Sequence, residues 1–395
     1  MGVWMVLSTV LTFMQFSNLG IGSAITKLVA EEYGRGNKQG MQSYITTALL
    51  TVTVTGFIAL IFLIILAKPI IALFKLGIEN TSIALQYLPY MGILTVYAFF
   101  VQILTAALSG LGRMDQSNYR DAICRGISVL VTIVLLFLGK GIQSLFIGMI
   151  ISNVLMHIIS VLLIHKIVDI QILKFKWDYE RFKQLINFGG AILCSMIISM
   201  FFGPFNKFML SRYSGIATVP VYEIAFNSSM QIRNLIESAF RALVPEISRI
   251  GSNMNLHARE RIIQIYRRSL KLIFIFGIPI YILLLIFSPV LLRIWLRDKF
   301  VDTLPGAFCI MLVGTFLTLV GVPAYYTLIG FGRVREIIKI SIMSGISNVF
   351  FVIGYYEITG TLSVYNVGLC FIFSSILPLL YILFKIHYFF TMDRE

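Results

Sequence analysis

Glu223, Asn227, Arg233, Asn234, Glu237 and Arg241 share one stretch of membrane length, Val219–Leu243. At 100° per residue, Glu223, Asn227, Asn234, Glu237 and Arg241 fall within about 80° of one another, with Arg233 just beside them. Ala225, Ile232, Ile236, Ala239 and Leu243 form the opposite face. A charge at mid-bilayer costs roughly 3 kcal/mol on insertion scales, so this polar face needs a protein-lined, watered cavity. Guanidinium groups in such a cavity match phosphate oxygens bidentately. A carboxylate there can carry a proton between two states of a carrier. Glu237 lies four residues from both Arg233 and Arg241, so a mutually neutralised structural triad is the competing reading. Glu223 has no such partner on its own helix and is the first candidate for ion coupling, with Glu237 second.

Weaker stripes recur elsewhere. Ser8, Thr12, Gln15 and Ser23 share a face of the first apolar segment, and Asp121, Arg125, Ser128 and Thr132 one of the fourth. Ser195, Ser199 and Asn206 align on the sixth, beside Gly203-Pro204. Hydroxyls and amides in membrane helices usually bond to backbone or to a neighbouring helix. Their occurrence in both halves points to a shared central cavity, which adds Arg125 and Asn206 to Arg233, Arg241, Asn227 and Asn234 as candidate substrate contacts. His157 reads as a hydrogen-bonded core residue.

Other chemistries lack their residues. The four cysteines, Cys124, Cys194, Cys309 and Cys370, are isolated in or beside apolar segments, with no metal or redox spacing. No GxxxxGK[ST] loop and no HExxH occurs, and the loops on one side are all short, so the reading is a non-enzyme without a cofactor.

Positioning these residues requires membrane helices. Of 395 residues, 58% are hydrophobic and 13% charged, a composition of an integral membrane protein. Spans are expected near 3–25, 45–66, 87–108, 122–139, 142–164, 188–210, 219–243, 270–292, 304–328, 336–354 and 362–386. The formal charge of +14 reflects loops rather than nucleic-acid binding: 22 Lys and Arg lie in loops on one side and 8 on the other. That bias puts the richer set, and the C-terminus, in the cytoplasm and Met1 outside.

An internal repeat accompanies the spans. Leu108-Ser109-Gly110-Leu111-Gly112-Arg113 recurs as Leu328-Ile329-Gly330-Phe331-Gly332-Arg333, and Pro69 as Pro289, both 220 residues on. Leu28-Val29-Ala30-Glu31 recurs as Leu243-Val244-Pro245-Glu246 at 215. The repeat is parallel, with equivalent helices running the same way. It divides the chain into a five-span bundle (1–165), a basic amphipathic linker (166–187) expected to lie on the cytoplasmic surface, and a six-helix bundle (188–395).

Ser17-Asn18-Leu19-Gly20-Ile21-Gly22-Ser23-Ala24, followed by Lys27-Leu28-Val29-Ala30-Glu31, resembles the second helix and following loop of bacterial polysaccharide flippases. These are the Wzx-type O-antigen unit exporters of the multidrug/oligosaccharidyl-lipid/polysaccharide superfamily. Ser109-Gly110-Leu111-Gly112-Arg113 resembles the end of their fourth helix. Val221-Tyr222-Glu223-Ile224-Ala225-Phe226 and Leu243-Val244-Pro245-Glu246-Ile247-Ser248-Arg249 resemble their eighth helix and its exit. The resemblance implies an all-α, MATE-like fold of two parallel-repeat six-helix bundles in a V, twelve helices of which about eleven are present here, the first being absent. It implies an undecaprenyl-pyrophosphate-linked oligosaccharide as substrate, flipped in the inner membrane by ion-coupled alternating access beside a polysaccharide polymerase and glycosyltransferases. Asn18 stands where many relatives have Asp. Two alternatives remain: a multidrug antiporter of the same fold, and a transport-dead component of a polysaccharide-synthesis complex.

Overall fold

The structure, a computed structural model, describes residues 14–72, 78–141, 143–169 and 177–392. Ser8 and Thr12 lie outside the described residues. After a 3-10 turn at Gln15–Asn18 come α1 (Ile21–Gly34), α2 (Lys38–Ile65), the short α3 (Ala67–Ala72), α4 (Ile78–Gly110), α5 (Met114–Phe137) and α6 (Gln143–Val168). Then follow α7 (Tyr179–Met200), α8 (Phe202–Tyr213), α9 (Thr218–Ser238), α10 (Leu243–Gly251), α11 (Leu256–Leu272) and α12 (Ile278–Leu296). The chain closes with α13 (Leu304–Val320), α14 (Val322–Gly330), α15 (Val334–Thr359) and α16 (Val364–Met392). Among the described residues there is no strand.

Among the described residues, eight helical stretches are long and apolar enough to cross a membrane, and the protein is a multi-pass membrane protein. Two other helices of membrane length, α5 and α9, are too polar to join them, and both carry candidate site residues. Lipid replaces water as the solvent of the outer faces, which accounts for the exposure of Phe57, Ile61 and Phe62 along α2.

Two compact units divide the chain, Met1–Leu193 and Cys194–Glu395, with the boundary inside α7. In the first, α1, α2 and α4 pack on one another, α6 on α4, and α5 on α6. In the second, α16 packs on α13 and α15, and α9 on α13, around Tyr222, Phe308, Met311 and Phe371.

Helix ends differ from the expected spans where proline intervenes. The stretch Val219–Leu243 is not one helix: α9 stops at Ser238, the chain turns through Ala239–Ala242, and α10 restarts at Leu243. Continuing through Pro245 would drive its ring into the carbonyl of Arg241 and remove a backbone donor, whereas proline in a first turn loses nothing. Arg241 therefore lies in the turn beyond the end of α9. Pro323 likewise falls in the first turn after the break at Gly321 between α13 and α14.

The repeat is visible in the backbone of each unit. Leu111, Gly112 and Arg113 donate to Ala107, Ser109 and Leu108, and Phe331, Gly332 and Arg333 donate in the same pattern to Thr327, Ile329 and Leu328. Gly112 and Gly332 both take positive φ, 74° and 73°, the left-handed cap that glycine adopts without penalty. One turn back, a Cβ on Gly110 would meet Val29 Cβ at 3.1 Å, and one on Gly330 would meet Ile247 Cβ at 2.9 Å. Val29 thus matches Ile247, an offset of 218 where the letter match suggests 215; the register differs by one turn.

Val168 ends α6 and Tyr179 begins α7, so the second part of the expected surface linker forms the first turns of a membrane-length helix. Lys174 and Lys176 lie outside the described residues.

Candidate functional site

A cavity of about 650 Å³ opens within the first unit, lined from α1, α4, α5 and α6. Ser23, Thr26, Gln102, Thr105, Ser109, Asp121, Arg125, Ser128, Ser152 and Asn153 give it a polar wall. The polar spacing on α5 thus assembles as read, with Asp121, Arg125 and Ser128 on one wall, and Gln102 and Asn153 join them from α4 and α6. Thr132, further along α5, instead donates to the carbonyl of Ser144 at 3.4 Å.

Charge in this cavity is decided by a residue the sequence reading set aside as a loop cation. Arg120 is 3% exposed. It donates to Asp121 Oδ1 from Nε at 2.9 Å, to Thr105 Oγ1 at 2.8 Å, and to Ser160. Because α5 begins at Met114, eight residues ahead of the expected span, Arg120 is already well inside the helix. A buried guanidinium demands this many partners. Asp121 is therefore neutralised by Arg120, and among the described residues nothing pairs with Arg125. The lining carries one uncompensated positive charge.

The second unit holds the other candidates. Arg233 Nη1 donates to Glu237 Oε2 at 2.5 Å and to Asn234 Oδ1 at 3.3 Å, while Tyr326 Oη donates to Glu237 Oε1 at 2.7 Å. Arg233 Nε is buried without a partner. The expected triad is thus a pair plus a tyrosine: Tyr326 of α14 takes the place beside Glu237 that spacing gave to Arg241. Arg241 is exposed beyond the end of α9. Tyr326 carried no sequence signal, since a lone tyrosine in an apolar segment reads as packing.

Glu223 is bound to Lys207 of α8 at 2.6 Å. Lys207 falls inside the expected span 188–210. Asn206, fully buried, donates to Tyr222 Oη at 3.0 Å and keeps its Oδ1 without a partner. Asn227 is exposed on α9. His157 bonds through Nδ1 to Tyr97 Oη at 2.8 Å, a structural contact as read.

With this geometry established, known proteins can be compared. Residues 1–305 match the model of a family described as polysaccharide biosynthesis protein. A protein of Shigella flexneri named "Putative O-antigen transporter" is 20% identical over 333 residues, covering 84% of this chain and 77% of its own. An outward-facing multidrug-resistance MATE transporter of the MOP superfamily superposes with a TM-score of 0.80 at 16% identity, over 99% of this chain and 88% of its own. A variant of a Vibrio cholerae MATE transporter gives 0.83 at 13% identity, covering 98% and 88%. A MOP-superfamily transporter from Pyrococcus furiosus, described as having a binding pocket of reverse polarity, gives 0.77 at 16% identity, covering 98% and 88%. The fold is MATE-like, the resemblance to the polysaccharide exporters stands, and the chain belongs to the polysaccharide biosynthesis protein family.

Proposed function

We propose that this protein is a flippase that carries a lipid-linked oligosaccharide, its lipid an undecaprenyl diphosphate, from the cytoplasmic to the periplasmic leaflet of a bacterial inner membrane. The observation that carries this reading is the unpaired Arg125 in a cavity whose other polar groups are hydroxyls, amides and the Asp121 carboxylate that Arg120 neutralises. Such a wall offers hydrogen bonds to sugar hydroxyls and a guanidinium to an anion. Family membership and the Shigella relative support a polysaccharide cargo. Glycosyltransferases supply the lipid-linked unit and a polymerase consumes it. The short loops and transporter relatives argue against an enzyme. Arg233, through its free Nε, and the exposed Arg241 are secondary anion contacts, and the C-terminus faces the cytoplasm on the Lys/Arg-rich side.

A cationic-drug antiporter shares the fold, but a cavity with an uncompensated guanidinium repels cationic drugs. Reconstitution into liposomes tests the choice. Leaflet transfer of a lipid-linked oligosaccharide, slowed in Arg125→Ala, is the expected result. Export of a cationic dye without oligosaccharide transfer would overturn the proposal.

A further inference from the structure

Resting on that reading, the free groups of the first-unit cavity identify part of its cargo. Among the described residues, five uncharged polar groups of the wall make no hydrogen bond within the protein: Ser23 Oγ, Gln102 Nε2, Ser128 Oγ, Ser152 Oγ and Asn153 Oδ1. Gln102 is oriented by Asn18, which donates to its Oε1 at 2.9 Å and leaves the amide N–H groups free. Asn153 is oriented by donation to the Met149 carbonyl at 2.9 Å, which leaves its own oxygen free. The inventory mixes three hydroxyls, a donor-only amide nitrogen and an acceptor-only amide oxygen, the complement of a polyol. At about 650 Å³ the cavity is of a size that encloses a small polar ligand.

Its charge is equally specific. Asp121 is occupied by Arg120, so among the described residues the ligand meets a single uncompensated guanidinium, Arg125. A diphosphate carries more than one negative charge and spreads them over two phosphorus centres, which calls for several cations. One guanidinium matches one carboxylate, bidentately.

We propose that this cavity binds the saccharide end of the cargo and that the saccharide bears an acidic sugar, a uronic acid or another carboxylated residue, whose carboxylate is held by Arg125.

The test uses liposomes containing the whole protein and two synthetic probes: a polyprenyl-diphosphate trisaccharide with one uronic acid, and the same molecule with that carboxyl reduced to the alcohol. The unsubstituted protein should transfer the acidic probe roughly tenfold faster at limiting concentration, the scale of one charge-assisted pair. In Arg125→Gln the ratio of the two rates should fall to about one, and Arg125→Lys should retain part of it. The ratio compares probes on one preparation, so a loss of folded protein does not move it. Equal transfer of both probes by the unsubstituted protein, or an undiminished ratio in Arg125→Gln, would overturn the acidic-sugar assignment and leave the flippase reading standing. Transfer of neither probe would overturn both.

Discussion

Arg120 and Arg125 stand five residues apart on α5, about 140° around the helix, and face different surroundings. Arg120 is enclosed with Asp121, Thr105 and Ser160, whereas Arg125 faces the cavity. Removing one partner of a buried ion pair leaves the other uncompensated, at a cost of about 3 kcal/mol. Arg120→Ala should therefore lower the thermal stability of the detergent-solubilised protein by about that amount. It should also release Asp121 to oppose Arg125 and weaken anionic cargo. Replacing both, Arg120→Leu with Asp121→Leu, should recover much of the stability, since an apolar pair removes the uncompensated charge. A double variant as unstable as Arg120→Ala alone would show that the hydrogen bonds to Thr105 and Ser160, not the ion pair, hold this corner together. Spacing on one helix found Arg125 because a periodic polar face is a local signal. Tyr326, Lys207 and Gln102 act from other helices, and no local pattern announces a partner supplied by tertiary packing.

The beginning of α7 shows the same limit at the level of elements. Its sequence reads as a basic amphipathic surface segment, yet its first turns are fastened to α1 and α2. Arg181 donates to Tyr44 Oη at 2.7 Å, stacks over that ring at 4.3 Å and lies 3.7 Å from Glu32. Asp178 accepts from Ser43 Oγ at 3.3 Å, and its own amide donates to Thr47 Oγ1 at 3.3 Å. Further along, Gly189 of α7 approaches Gly20 so closely that a Cβ on Gly189 would sit 2.6 Å from the Leu19 carbonyl oxygen. Gly20 itself has φ 66°. Gly20→Ala combines a left-handed backbone with a collision against the Gly189 carbonyl, so the expected loss is about 3 kcal/mol or more. Gly36→Ala is the control: φ is 69° but nothing lies within 4 Å, and the expected loss is about 1 kcal/mol. Thermal unfolding of the two variants checks this. Equal losses would mean that backbone strain alone is felt and that the glycine contact does not seat α7. The expected helices, by contrast, were legible almost throughout, because a membrane span is written in twenty consecutive residues. Their ends were not: the expected spans 219–243 and 304–328 run past the breaks that precede Pro245 and Pro323.

At the scale of the whole molecule, uphill transport requires a group whose occupancy differs between the states of the cycle, because a ligand shifts an equilibrium only through differential affinity. Two carboxylates of α9 compete for that role. Glu237 is 14% exposed at its side chain, with Arg233 on one oxygen and Tyr326 on the other. Exchange there would leave a buried guanidinium unpaired, which opposes release. Glu223 has a single partner, Lys207, and both side chains are more than a third exposed, 47% and 35%. A solvated pair of this kind contributes about 1 kcal/mol or less, so a proton or an anionic ligand can separate it at little cost. The repeat organisation adds a reason for asymmetry. The first unit supplies a cavity with its acid neutralised, and the second supplies a carboxylate that can be released. We therefore expect Glu223 rather than Glu237 to couple transport to an ion gradient. In vesicles, Glu223→Gln should flatten the pH dependence of lipid-linked oligosaccharide transfer, whereas Glu237→Gln should chiefly reduce the amount of folded protein. Unchanged pH dependence in a folded Glu223→Gln protein would remove Glu223 from the coupling mechanism.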